Sequence, residues 1–158
     1  MDADGMVTIS DRSTGSTARI LPGSGFNCFS FVAAIDGAEI ETLWREPDFG
    51  PGSRASRSGI PLLFPFPGRL AGDSFRFDGR TFTVTGAPVN GGNPIHGFVL
   101  DRPWRIAERS ADRVAATFRA SVDEPALLAQ WPADFQITIS YEVAESSLRG
   151  VVLIENPG

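Results

Sequence analysis

The sequence predicts an all-β protein: a β-sandwich of successive antiparallel hairpins in two packed sheets, with little helix. Three observations carry this reading. Short segments alternate apolar and polar residues with period two along most of the chain. Asp36-Gly37 and Asp78-Gly79 each sit between two such segments, where an Asp-Gly pair signals a hairpin turn. The 158 residues also hold 17 glycines, 12 prolines and 12 phenylalanines, a composition suited to many short strands and tight turns.

Met6 to Asp11 reads as a first strand, with turn chemistry from Ser13 to Ser16 and a second strand from Thr17 to Leu21, stopped by Pro22-Gly23. Asn27 to Ile35 is apolar on both faces, as expected of a strand inside a two-layer core. Strict alternation places Phe29, Phe31 and Ala33 together, opposite Cys28, Val32 and Ala34. After Asp36-Gly37, Ala38 to Trp44 returns as the partner strand. Glu46 to Ser58, rich in Pro, Gly, Ser and Arg, has no periodicity and reads as a long loop of the kind that is often functional. Ile60 to Phe66 is apolar, but Pro61 and Pro65 rule out a regular central strand.

Asp73 to Phe77 and Arg80 to Thr85 form a further hairpin around Asp78-Gly79, and Pro88 to Gly97 is a second irregular loop. Trp104 to Arg109, Arg113 to Ser121, Phe135 to Val143 and Leu148 to Ile154 read as strands. Only Glu124 to Gln130 has helical composition. The count is about ten strands, in one domain without repeat or linker. The chain closes on an apolar strand followed by Asn156, Pro157 and Gly158, a strand and the start of a turn. An apolar strand there with no partner after it would expose an edge, which points to a C-terminal truncation of the domain unless the strand pairs with an earlier one.

Composition excludes several function classes. A net charge of −5 lacks the basic footprint of sequence-independent nucleic-acid binding. No apolar run approaches the roughly 20 residues of a membrane span. The polar N-terminus carries no apolar signal core, so a cytoplasmic location is the default. One cysteine, Cys28, forms no intrachain disulfide, and its apolar run marks it as a small buried hydrophobe. With one histidine and one cysteine there is no transition-metal cluster of the usual spacing, which leaves only a site built from carboxylates open, and no metal or cofactor is assigned. No GxSxG, Walker loop or GxGxxG occurs.

The candidate site lies between Gly59 and Trp104. His96, the sole histidine, sits among Asn93, Pro94, Ile95, Gly97 and Phe98. An imidazole can donate one hydrogen bond, accept another and move protons near neutral pH. It can equally be a loop residue that caps backbone groups. Arg69 follows the proline-punctuated apolar segment; its fork of donors suits vicinal hydroxyls, carboxylates or phosphates, or a surface ion pair. Asp101 could be brought beside the imidazole or form an exposed pair with Arg102. Trp104 and Trp131 could stack on sugar faces or fill the core.

Read together, these segments resemble the aldose 1-epimerase (galactose mutarotase-like) family, in order along almost the whole chain. GIPLLFPFPGRL is similar to the family's segment ending in a sugar-binding arginine, DSFRFDGRTFTV to the hairpin after it, and NPIHGFVLDRPW to its Asn-x-x-His-Gly element with a downstream Trp. WPADFQITISYEV and SLRGVVLIEN resemble its paired strands at mid-chain. Gly68 stands where the family often has Asn. The resemblance implies the N-terminal half of a β-supersandwich, since members are nearly twice this length. Their second histidine and catalytic glutamate would fall beyond Gly158.

The activity implied is interconversion of the α and β anomers of a hexose by acid–base ring opening. By that resemblance His96 is catalytic and binds substrate, and Arg69 and Asn93 bind substrate; the 158 residues alone would be an inactive fragment. The partner implied is a small-molecule sugar, free or phosphorylated. A non-catalytic carbohydrate-binding module on the same fold is the alternative.

Overall fold

The computed structural model describes residues 5–157. The first four strands are β1 (Val7–Ser10), β2 (Thr17–Leu21), β3 (Asn27–Ile35) and β4 (Ala38–Glu41). They form one antiparallel sheet in the order β1-β2-β3-β4. Two ribbons follow: β5 (Ser74–Phe77) with β6 (Arg80–Thr83), and β7 (Val89–Asn90) with β8 (Asn93–Pro94). The second four-stranded sheet, also antiparallel, comprises β9 (Arg105–Arg109), β10 (Arg113–Arg119), β11 (Gln136–Ala144) and β12 (Ser147–Glu155), in the order β12-β11-β10-β9. Helix is confined to α1 (Ala120–Asp123) and 3-10 turns at Ala55–Arg57 and Pro125–Ala129.

The expected hairpins form where Asp-Gly placed them. Asp36 and Gly37 take φ of 51° and 79°, and Asp78 and Gly79 take 46° and 72°, the two left-handed residues of a tight turn that matches strand twist. Both sheets turn their apolar faces inward. Val7, Ile9, Ala18 and Ile20 from one meet Val114, Ala116, Ile137 and Ile139 from the other, all buried. Phe26 stacks between Trp104 and Tyr141, with ring centroids 6.3 Å and 5.6 Å away. Trp104 is therefore a core residue, and Trp131 packs partly buried against Phe75 and Phe98.

Strict alternation fails at one place. The β2–β3 register shifts between Arg19 and Ile20, which pair with Ser30 and Cys28, so Phe29 is left over as a bulge. The extra residue switches the strand's faces. Cys28 joins Phe31 and Ala33 in the main core, while Phe29 packs outside with Leu21 and Phe49. The Cys28 thiol is pushed up to about 12 by burial, against a hydrogen bond to the Ser30 carbonyl, so it is inert at neutral pH.

Two further differences are local. Pro88 to Gly97, expected to be irregular, contains the β7–β8 ribbon around Gly91-Gly92. The strand expected to reach Trp44 ends at Glu41, whose carboxylate accepts from the Phe31 and Leu43 amides and the Ser30 hydroxyl. Trp44 is then 75% exposed.

The hairpin turns of both sheets gather at one end. There Ser10 N–H donates to Ala111 O (2.7 Å), Thr14 Oγ1 to Glu145 O (2.9 Å) and Ser146 Oγ to Ala34 O (2.6 Å). The opposite end carries the long connections, and the candidate site lies there.

Candidate functional site

A pocket of about 510 Å³ opens at that end. Its walls come from the β2–β3 turn (Leu21, Gly23, Ser24), the long loop (Pro51 to Ser56), and the stretch holding Ile95, His96, Leu100 and Asp101. Two backbone bonds, Gly25 N–H to Arg102 O and Trp104 N–H to Pro22 O (both 2.8 Å), clamp the first wall to the third. The second wall hangs on Asn27, which is fully buried at the start of β3. Its Nδ2 donates to Ala55 O (3.0 Å) and Ser58 O (2.9 Å), and its Oδ1 accepts from Ile60 N–H (3.0 Å). A buried amide with all its partners supplied fixes the loop that follows it.

His96 is held in an unusual conformation for a residue with a side chain, φ +67°. The cause lies next to it. Gly97 (φ +74°) presses its backbone on the proline-rich segment, where a Cβ would stand 1.8 Å from Phe64 O. Phe98 N–H donates to that same carbonyl at 2.7 Å, and His96 N–H donates to Gly68 O at 3.1 Å. The proline-punctuated stretch from Phe64 to Gly68 thus supplies carbonyls to the His96 segment through Phe64 and Gly68. The imidazole Nδ1 lies 2.7 Å from Pro67 O. A carbonyl only accepts, so Nδ1 carries the proton, and Nε2, which has no hydrogen-bond partner among the described residues, is the ring atom open to a ligand or a proton.

Arg69 is brought one ladder step from His96. It bridges Ile95 in backbone register, and Leu70 N–H donates to Pro94 O at 2.9 Å. Its guanidinium is exposed and donates to Asn90 Oδ1 (2.9 Å) in β7, beside the pocket and outside its walls. Asn93 uses both ends of its amide on backbone: Oδ1 accepts from Gly72 N–H (3.1 Å) and Nδ2 donates to Gly91 O (3.2 Å), which secures the ribbon carrying His96.

Two charged residues, Asp101 and Arg54, belong to the described wall. Asp101 lies exposed on the same pocket as His96. Arg102 turns away from it to Glu124 (2.9 Å) and the Gly86 carbonyl (2.9 Å). Arg54 contributes the one positive side chain of the wall, while Arg57 pairs with Glu46 at 3.3 Å. Nothing in the sequence distinguishes Arg54 from Arg57; in the fold the Glu46 carboxylate takes Arg57, and Arg54 lines the pocket. The resulting site offers one imidazole nitrogen, one carboxylate, one guanidinium and the hydroxyls of Ser24, Ser53 and Ser56 around an apolar floor. Such a surface can hydrogen-bond a polyol and move a proton at His96 Nε2.

The architecture is that of the galactose mutarotase-like β-sandwiches. A protein from Synechocystis sp. PCC 6803 superposes with a TM-score of 0.73 at 24% identity, covering 99% of this chain and 50% of that one. An aldose epimerase homologue from C. elegans gives 0.68 at 22%, covering 98% and 47%. A galactose mutarotase-like protein from Clostridium acetobutylicum gives 0.69 at 24%, covering 96% and 48%. The chain thus spans about half the length of these solved structures. The sequence profile of the aldose 1-epimerase family matches residues 37–156, and the chain belongs to that family.

Proposed function

We propose that the protein handles an aldose as the sugar-binding part of an isomerase that interconverts the α and β anomers of a hexose by acid–base ring opening. The observation that carries the reading is His96: a pocket-lining residue in a left-handed backbone conformation, with Nδ1 committed to Pro67 O and Nε2 without a hydrogen-bond partner among the described residues. Backbone strain of this kind, of order 1–3 kcal/mol, persists only where surrounding structure imposes it, and it clusters at functional sites. In this reading Nε2 hydrogen-bonds the reacting oxygens of the sugar. Arg69 exchanges Asn90 for ring hydroxyls, and Asn93, in β8 three residues before His96, exchanges the Gly91 carbonyl for the same sugar. No metal or cofactor enters the scheme, and the location that goes with it is cytoplasmic. Membership of the family and the paired placement of Arg69 and His96 support it.

The sole histidine makes the test direct, because its ring gives a single set of imidazole NMR signals. Titration with aldohexoses is expected to shift those signals. His96→Asn is expected to lower sugar affinity in these 158 residues, which should bind without speeding anomer exchange. In a longer polypeptide that turns over, the same substitution should slow polarimetric equilibration by about 10²-fold or more, the usual contribution of a general acid–base group. Unmoved imidazole signals with every aldose, in folded protein, would sink the proposal. Binding without exchange in any longer form would favour a carbohydrate-binding module.

A further inference from the structure

The turn between β2 and β3 puts a hydroxyl on the pocket wall that the fold itself does not use. Pro22-Gly23 ends β2, Ser24 N–H donates to Leu21 O at 3.2 Å, and Ser24 O accepts from Asn27 N–H at 3.3 Å. Both backbone groups of Ser24 are thus spent inside the turn. The residues around it are fixed from outside, because Pro22 O and Gly25 N–H hold the two bonds of the clamp to Trp104 and Arg102. Gly25 has φ +67°, and a Cβ there would collide with Leu100 O, so the turn is pressed on the stretch that follows His96. The side chain of Ser24 is left over. The residue is 8% exposed, and its Oγ has no hydrogen-bond partner among the described residues. No side-chain oxygen or nitrogen among those residues is both sealed from solvent and unpartnered, so this hydroxyl opens on the pocket that Ser24 lines. The other two serines of the wall differ: Ser53 Oγ accepts from Gly50 N–H at 3.0 Å, and Ser56 is only half-buried.

We propose, on the reading that His96 meets the reacting oxygens of an aldose, that Ser24 contacts the same sugar and selects it by one hydroxyl that takes no part in ring opening. A mostly buried hydroxyl costs free energy unless something in the pocket bonds to it. The chemistry of the wall sets what that group is. A serine hydroxyl donates one bond and accepts others, so it complements a neutral hydroxyl, and it brings no charge to favour a carboxylate or a phosphate. Leu21 and Leu100 line the same pocket and offer carbon surface for the C–H side of the sugar. Ser24 stands on a different wall from His96, so the hydroxyl it meets lies elsewhere on the ring. A site built to bond a hydroxyl rejects the analogue that lacks it, because its own hydroxyl then has no partner. Ser24 therefore decides which aldose is held, while His96 acts on the proton.

Titration of the 158-residue chain and of Ser24→Ala with D-glucose, D-galactose and their monodeoxy analogues tests this, read by the imidazole signals of His96. In the parent, at least one monodeoxy sugar is expected to bind about two- to tenfold more weakly than its hydroxylated counterpart, the scale of one neutral hydrogen bond. Ser24→Ala should weaken the hydroxylated sugar by a similar factor and leave one deoxy sugar unchanged, so that the difference disappears at that position alone. The Ser24 hydroxyl bonds to no protein group among the described residues, and circular dichroism checks that the variant folds. A parent that binds hydroxylated and deoxy sugars alike would overturn the role of Ser24 without any variant. A variant that binds every sugar as the parent does, or weakens all of them by one common factor, would overturn it too and leave His96 in place. Imidazole signals unmoved by any aldose would overturn the reading of His96 and the role of Ser24 with it.

Discussion

Single atoms set the geometry around His96. Gly97 has no room for a methyl group, since its would-be Cβ lies 1.8 Å from one carbonyl oxygen. Gly91 also has positive φ, at 61°, yet nothing stands within 4 Å of its would-be Cβ. Gly97→Ala should therefore cost about 3 kcal/mol or more, because the His96 and Phe64 segments must part. Gly91→Ala should cost only the conformational penalty of roughly 1–2 kcal/mol. Urea midpoints of the two variants check the difference; equal losses would mean that the contact at Phe64 is relieved without cost. Arg69, Asn93 and His96 were all legible as residues in a Gly- and Pro-framed stretch. Their bonds to Asn90, Gly72 and Pro67 were not, since a backbone partner leaves no mark on composition.

At the scale of elements, strand existence follows from period and turn chemistry, and β2 and β3 fall where alternation set their bounds. What alternation could not reveal is the bulge at Phe29. Every residue from Cys28 to Ala33 except Ser30 is apolar, so a switch of faces is invisible in the pattern. The connection between β10 and β11 was read as strand up to Ser121; it breaks instead at Arg119 into α1. Asp134 organises that break. Its carboxylate accepts from Ser121 N–H (3.0 Å), Ser121 Oγ (2.7 Å), Arg119 Nε (2.9 Å) and Phe135 N–H (2.9 Å). Burial raises its pKa, but the Ser121 hydroxyl, the Arg119 guanidinium and the Ser121 amide outweigh that and hold it below the ordinary aspartate value. A carboxyl lowered in the fold adds stability that is complete above its unfolded value and is lost as pH falls through the folded one. Acid unfolding should thus steepen below about pH 4 in the parent protein. Asp134→Asn should lower stability at pH 7 by about 2 kcal/mol, the scale of a lost charged hydrogen-bond partner, and flatten that dependence. A parallel pH profile in the variant would contradict this.

For the molecule as a whole, neither sheet has a core of its own. The buried side chains of β1 and β2 rest on those of β10 and β11, with Phe26, Trp104 and Tyr141 stacked between. Ile137→Ala, at a fully buried site, should cost about 2–5 kcal/mol and lower hydrogen-exchange protection in both sheets together. Loss of protection in the second sheet alone would show that the sheets unfold as separate units. The two-layer arrangement was legible because inward residues recur in every strand. The pocket was not, since it is made by three connections whose meeting depends on Asn27 and on the clamp between Pro22–Gly25 and Arg102–Trp104.

Those ties have a consequence for motion. The sheets are fastened at the turn end through Ser10, Thr14 and Ser146, and at the pocket end through Gly25 and Trp104. A body stapled at both rims cannot gape like a clamshell to admit a guest. Phe49 is plugged into the hydrophobic patch of Leu21 and Phe29, and Ala55 is moored to Asn27. Between those two fixed points, Gly50 and Ser53 bond only to each other. Any opening of that wall would have to come from the short span from Pro51 to Arg54, which ends where the Arg54 carbonyl accepts from Arg57 N–H (3.1 Å).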